Sequence, residues 1–130
     1  MAVPVGKQGQ YLIATIQVAL SDADLQKLRE DLLTQVSRHR PRGVIVDITV
    51  LDVMDSFAVR MLHDIAQMTR LRGTETVIVG MQPEVAISMV QLGLTLEGVT
   101  AALDLEEGLA VLDRQTSAAR GGQSRGRERR

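Results

Sequence analysis

Two short aliphatic runs constrain this chain more than anything else in it. Val44-Ile45-Val46 and the run Thr76 to Gly80 (TVIVG) carry no alternation of polar and apolar residues. A strand of that kind is buried on both faces, which happens where helices cover both sides of a largely parallel sheet. Between the two runs lies a helical pattern, with Phe57, Met61, Ile65 and Met68 spaced four, four and three apart. A strand, a helix and a second strand of this length form a right-handed crossover unit between parallel neighbours.

The rest of the chain extends that unit in both directions. Residues 3–7 fit a short first strand, which Pro4 confines to a sheet edge. Tyr11 to Val18 alternates, with Leu12, Ala14, Ile16 and Val18 on one face. Ser21 and Asp24 have the spacing of a capping box, and Leu25, Leu28, Leu32 and Val36 continue as an apolar stripe to about Arg38, with Leu33 beside it. Pro41 and Gly43 end that helix. Gly73 stops the helix after the first aliphatic strand, near Leu71. Pro83 suits the first turn of a third helix with Val85, Met89 and Leu92 on one side, closed by Gly93. Val99 to Ala102 fits a last strand, and Asp104 with Glu107 caps a final helix marked by Leu105, Leu109 and Leu112. The expected fold is therefore α/β, a mixed sheet packed against helices in the order β-β-α-β-α-β-α-β-α. The first two strands, joined by a short loop, are expected to be antiparallel.

Length and composition narrow the function. A chain of 130 residues is one domain with a sizeable core. With one Phe, one Tyr and no Trp, that core is aliphatic, and no aromatic platform exists for stacking nucleobases. The absence of cysteine excludes disulfides, thiol catalysis and thiolate metal sites. No apolar run approaches the roughly 20 residues of a membrane span, and MAVPVGKQGQ lacks a signal-peptide pattern. A cytoplasmic protein without a membrane or nucleic-acid partner is expected.

The net charge of −1 conceals an asymmetry. Residues 118–130 hold five arginines and one glutamate, leaving ten bases and fifteen acids before them, a charge near −5. The expected boundaries are a single domain over 1–117 and a basic disordered tail over 118–130. The tail fits a solubilising segment; a contact with an acidic surface is the alternative.

The chemistry-bearing residues gather where the first aliphatic strand meets its helix. The strand ends in Asp47, a turn carries Asp52, and Asp55 and Ser56 open the helix ahead of Phe57. A helix start offers unpaired N–H groups, so the junction suits an anion, bound or covalently attached. Three readings of the acids stand side by side. Asp47, Asp52 and Asp55 could hold a divalent cation. Asp47 could accept a phosphoryl group, although the body's lysines are only Lys7 and Lys27. Asp55 could simply cap the helix while Asp52 serves the turn. Ser56 is either an ordinary first-turn serine or a site modified by another protein, where phosphate would add roughly −1.5 to −2 charges. His39 and His63 have no metal or base spacing, and no GxGxxG or GxxxxGK[ST] loop occurs. The expectation is a non-enzyme without a cofactor.

The segment GVIVDITVLDVMDSFAVRML, residues 43–62, resembles the signature of the STAS domain, the fold of bacterial anti-sigma-factor antagonists. The resemblance runs from about Tyr11 to Leu112. More narrowly, DSFAVRMLHDIAQMTRLRG, GMQPEVAISMVQLGLTLEGV and ALDLEEGL look like the RsbS-type scaffold branch of that family, found in the stressosome. The resemblance implies self-association as a dimer and within a large particle, together with RsbR-type STAS paralogues. It further implies capture of an RsbT-type serine kinase, release on phosphorylation of the STAS proteins, and resetting by an RsbX-type phosphatase. Ser56 matches the phosphoacceptor, with Asp47, Asp52, Asp55 and Phe57 supporting the turn. Simple antagonists have a second small hydroxyl or glycine after the Asp-Ser pair, where this chain has Phe57 and Ala58. That leaves Ser56 as the turn's hydroxyl, with Ser88 a distant second candidate. The alternatives are a simple anti-sigma-factor antagonist and a small-molecule or nucleotide-binding STAS module.

Overall fold

The computed structural model describes residues 3–91, 93 and 99–128, with side chains to Thr116. The elements follow the expected order: β1 Val5–Gln8, β2 Tyr11–Thr15, α1 Asp22–His39, β3 Gly43–Asp47, α2 Ser56–Arg70, β4 Glu75–Val79, α3 Pro83–Gln91, β5 Thr100–Ala102 and α4 Leu105–Glu128. The strands lie side by side in chain order, β1-β2-β3-β4-β5. β1 is antiparallel to β2, and every later pairing is parallel. Leu92 lies outside the described residues. The expected tail boundary at residue 118 falls within the span of α4.

The aliphatic runs are interior for the reason their composition suggests. Val44 and Val46 face one layer of helices while Ile45 faces the other, and all three are fully buried. On the first side, Leu12, Ala14, Val46 and Ile78 pack with Leu28 and Leu32 of α1, Leu62 and Ile65 of α2, and Val85 of α3. On the second, Ile45, Val77 and Val79 pack with Leu112 of α4. Burying a Leu or Ile of this kind stabilises the fold by about 1.5–3 kcal/mol relative to exposure. Gly108 permits the close seating of α4, since a Cβ there would meet Val79 Cγ1 at 2.6 Å.

Several boundaries differ from expectation. β1 runs Val5–Gln8 rather than 3–7; Pro4 only accepts a bond, from the Thr15 amide at 3.1 Å. β2 ends at Thr15 because its partner β3 ends at Asp47, so Val18 leaves the sheet and is 41% exposed. The buried face of α2 is Val59, Leu62, Ile65, Ala66 and Thr69, with Met61 beside it. Phe57 is half-buried and Met68 exposed, so both lie at the margin of the stripe they were expected to form. Thr69 replaces Met68 because its hydroxyl is satisfied inside, bonding Ala66 O and Thr76 Oγ1 at 3.1 and 2.9 Å. The capping box of α1 is present in both directions, at 3.1 and 3.2 Å.

Candidate functional site

Residues 47–56 form the connection from β3 to α2 at the carboxyl end of the sheet. Its path follows from an apolar residue at every third position. Ile48, Leu51 and Met54 are buried in the core, so the residues between them point outward. Val50 and Val53 are accordingly 55% and 75% exposed, and Asp52, Asp55 and Ser56 are exposed with them. The turn is fixed at three points. Ile48 N donates to Val79 O at 3.0 Å, Leu51 N to Ile48 O at 2.9 Å, and Gln82 Nε2 to Thr49 O at 2.7 Å.

Asp47 is half-buried at the strand end and already committed. Its Oδ1 accepts from the Thr49 amide at 2.9 Å and from Thr49 Oγ1 at 2.5 Å. That is an Asx turn, in which a short carboxylate substitutes for a backbone acceptor. Asp55 is the N-cap of α2, in extended conformation, with Oδ1 accepting from Ala58 N at 2.8 Å. Asp52 is exposed on the turn. Among the described residues no group of three His, Asp or Glu side chains is placed to hold a metal ion.

Ser56 is therefore the first helical residue, one place inside the cap. Its hydroxyl is exposed and has no hydrogen-bond partner among the described residues. The first-turn N–H groups of Ser56 and Phe57 have no helical acceptor, as at any helix start. Arg60 stands four residues further on, exposed and on the same helical face as Ser56. Sequence reasoning missed both Arg60 and Thr49; the four-residue spacing was the available signal for the first. Beside the turn, Leu20, Leu25, Val53, Met54 and Ala58 line part of a largely apolar cleft of about 190 Å³.

The other candidates fall elsewhere. Ser88 is half-buried on α3. Thr74 and Thr76 are buried, Thr74 donating to Pro41 O at 2.9 Å. His63 Nε2 lies 3.3 Å from Gln67 Nε2, one turn along the same helix, and His39 is exposed at the end of α1. No helix among the described residues is long and apolar enough to cross a membrane.

Residues 2–107 match the STAS domain family model, and the fold carries a five-stranded sheet in chain order. The chain belongs to the STAS domain family. Within it, the chain is similar to a serine-to-glutamate variant of RsbS from Moorella thermoacetica: 32% identity, 88% of this chain and 97% of that one covered, TM-score 0.79. A chain solved in a study of the molecular architecture of the stressosome gives 34% identity, with 87% and 98% covered and a TM-score of 0.76. RsbT co-antagonist protein RsbRA of Bacillus subtilis is 31% identical over 84 residues, 65% of this chain and 31% of that protein. The chain spans about a third of the length of the curated relatives it matches.

Proposed function

We propose that this protein is a stressosome scaffold and antagonist that holds an RsbT-type serine kinase and releases it when Ser56 is phosphorylated. The observation that carries the reading is the exposed, unpartnered hydroxyl of Ser56 at the start of α2. Likeness to RsbS over nearly the whole chain, and to proteins named RsbT co-antagonists, supports the identity of the kinase. RsbR-type STAS paralogues are the co-assembling partners, alongside self-association, and an RsbX-type phosphatase returns the serine.

The switch is electrostatic. The kinase transfers the terminal phosphoryl of ATP to Ser56 Oγ; a new P–O bond forms, ADP leaves, and the hydroxyl proton passes to the kinase. The product carries about −1.5 to −2 charges at neutral pH. The first-turn N–H groups and the Arg60 guanidinium favour the phosphate where it sits. Asp52 and Asp55 add to its field, so the rim around Val50 and Val53 becomes strongly negative and hard to desolvate against the kinase. The fold does not need to change.

Incubation with the kinase and ATP, followed by intact mass and peptide mapping, tests this. One phosphate at Ser56 is expected, and none in Ser56→Ala, which keeps kinase capture. Ser56→Asp weakens capture. Undiminished incorporation in Ser56→Ala removes Ser56 as the acceptor, and equal capture by the Asp form removes charge as the release mechanism. Deleting the basic segment 118–130 leaves the particle unchanged on sizing.

A further inference from the structure

We propose that the two ends of the domain are an interface for each other: the turn 50–56 of one copy seats in a basic cleft at the opposite end of a second copy. The cleft has a volume of about 420 Å³ and is lined by Val36, Ser37, Arg40, Leu71 and Arg72. It is the space left where α1 and α2 stop. α1 closes on Arg40 in the left-handed region, with φ of 47° and its amide donating to Val36 O at 2.9 Å. α2 closes on Leu71, whose amide donates to Gln67 O at 3.2 Å, and Arg72 follows as the chain turns toward β4.

Two properties of the cleft define its occupant. The first is charge. Arg40 and Arg72 are exposed and have no ion pair or side-chain hydrogen bond among the described residues. No Asp or Glu is among the residues that line the wall. The second is an apolar surface beside that charge. Leu71 is 87% exposed, the most open of the large apolar side chains among the described residues. Arginines alone accept any anion. A bare leucine next to them selects a partner that brings an apolar side chain flanked by acids.

The turn at the other end of the domain has that pattern. Val50 and Val53 are 55% and 75% exposed, with Asp52 exposed between them and Asp55 exposed two places on. No Lys or Arg occurs between Arg42 and Arg60. Val53 thus matches Leu71, and Asp52 and Asp55 match Arg40 and Arg72. Helix α2 holds the two surfaces apart: Asp55 caps its start, Leu71 closes its end, and its 15 residues span about 22 Å. They cannot meet within one domain, so they meet between copies. Because they differ, the contact is head to tail, and each copy that joins leaves one turn and one cleft free. Exposed ion pairs contribute little singly and are screened by salt. The contact is therefore weak alone and gains from repetition in an assembly. It deepens the self-association proposed above but does not depend on the kinase, and its test contains none.

The chain has no cysteine, so single cysteines report on the contact. Full-length Val53→Cys and Leu71→Cys chains, one carrying an affinity tag to distinguish their sizes, are mixed at low salt with oxidised glutathione and resolved without reductant. A mixed disulfide about tenfold more abundant than either homodimer is expected, and it should fade in about 1 M salt. Asp52→Arg in the Val53→Cys chain, or Arg72→Glu in the Leu71→Cys chain, is expected to reduce the product about tenfold, and the two together to restore it. Lys27→Glu in the Leu71→Cys chain changes the net charge equally but lies away from the cleft, and should leave the product unchanged. Arg40→Glu is the substitute if thermal melting shows Arg72→Glu to be unfolded. Homodimers as abundant as the mixed product overturn the head-to-tail arrangement. Absence of the mixed product, or a yield that charge reversal does not alter, overturns the docking of the turn in the cleft.

Discussion

A carbon added to Gly80 would stand 1.9 Å from Thr49 Oγ1. The same Thr49 hydroxyl donates to Asp47, so one side chain bonds the end of β3 and packs closely against the residue after β4. Gly80 also has φ of +77°, where a side chain is strained. Gly80→Ala is therefore expected to lower stability by about 2–4 kcal/mol, combining left-handed backbone with overlap. Thr49→Ala in the same chain should recover part of that loss, because the nearest atom is gone. Urea unfolding of both variants measures it, and strictly additive losses would show that the two residues do not compete for space.

Asp55 has two roles that a pair of substitutions separates. Asp55→Ala removes the acceptor for Ala58 N and is expected to cost about 1 kcal/mol, with faster amide exchange at Ala58. Asp55→Asn keeps the cap and removes the charge. Its stability should match the parent while the field at Ser56 becomes less negative. If Asn destabilises as much as Ala, the carboxylate contributes through charge rather than as a cap.

The Tyr11 hydroxyl bonds Asp113 of α4, joining positions 102 residues apart. Burial first, and then that bond, raise the Tyr11 phenol above its ordinary value of 10.0. The folded state thus keeps its proton after the unfolded chain has lost it. The linked stability is complete below about pH 10 and falls as pH rises through the folded value. Tyr11→Phe should remove that portion of the alkaline loss and cost about 0.5–1.5 kcal/mol at neutral pH. Unfolding curves at neutral and alkaline pH make the comparison.

Val53 and Met54 are neighbours with opposite environments, one 75% and the other 5% exposed. Val53→Ser should change stability by less than about 0.5 kcal/mol; if the proposed kinase docks beside Ser56, it should also weaken capture, because the exposed valine is apolar surface there. Met54→Ser should cost about 2 kcal/mol or more, through a lost core side chain and a buried hydroxyl. Pull-down with the kinase, paired with thermal melting, distinguishes the two. Unaltered capture by Val53→Ser would place the kinase contact elsewhere.

The architecture was legible because its strongest signals are local. The aliphatic strands could only be interior, and Ser21 with Asp24 could only open a helix. Element order and strand direction followed from those. What escaped was set by distant partners. Thr69 counts as polar until Thr76 is brought alongside it. Val18 continues an alternating pattern, but no strand is left for it to pair with. Thr49 has no role in the sequence until Gly80 is next to it. The turn at Ser56 was visible as residue types, whereas the every-third-residue anchoring by Ile48, Leu51 and Met54 became clear only with the core in place.

The strands are laid down in space in the order in which they are made. A chain emerging from the ribosome can thus add each strand to the edge just formed, and the first stretches need not wait for the last. The turn bearing Ser56 is an exception. Three of its contacts are with Val79, Gly80 and Gln82, all synthesised later. A nascent chain halted before residue 79 would have the local bonds of the turn, Leu51 N to Ile48 O and Thr49 to Asp47, but not its ties to β4 and α3. The final geometry of the turn is therefore set only once the fourth strand has docked, after the residues of the turn itself have been made.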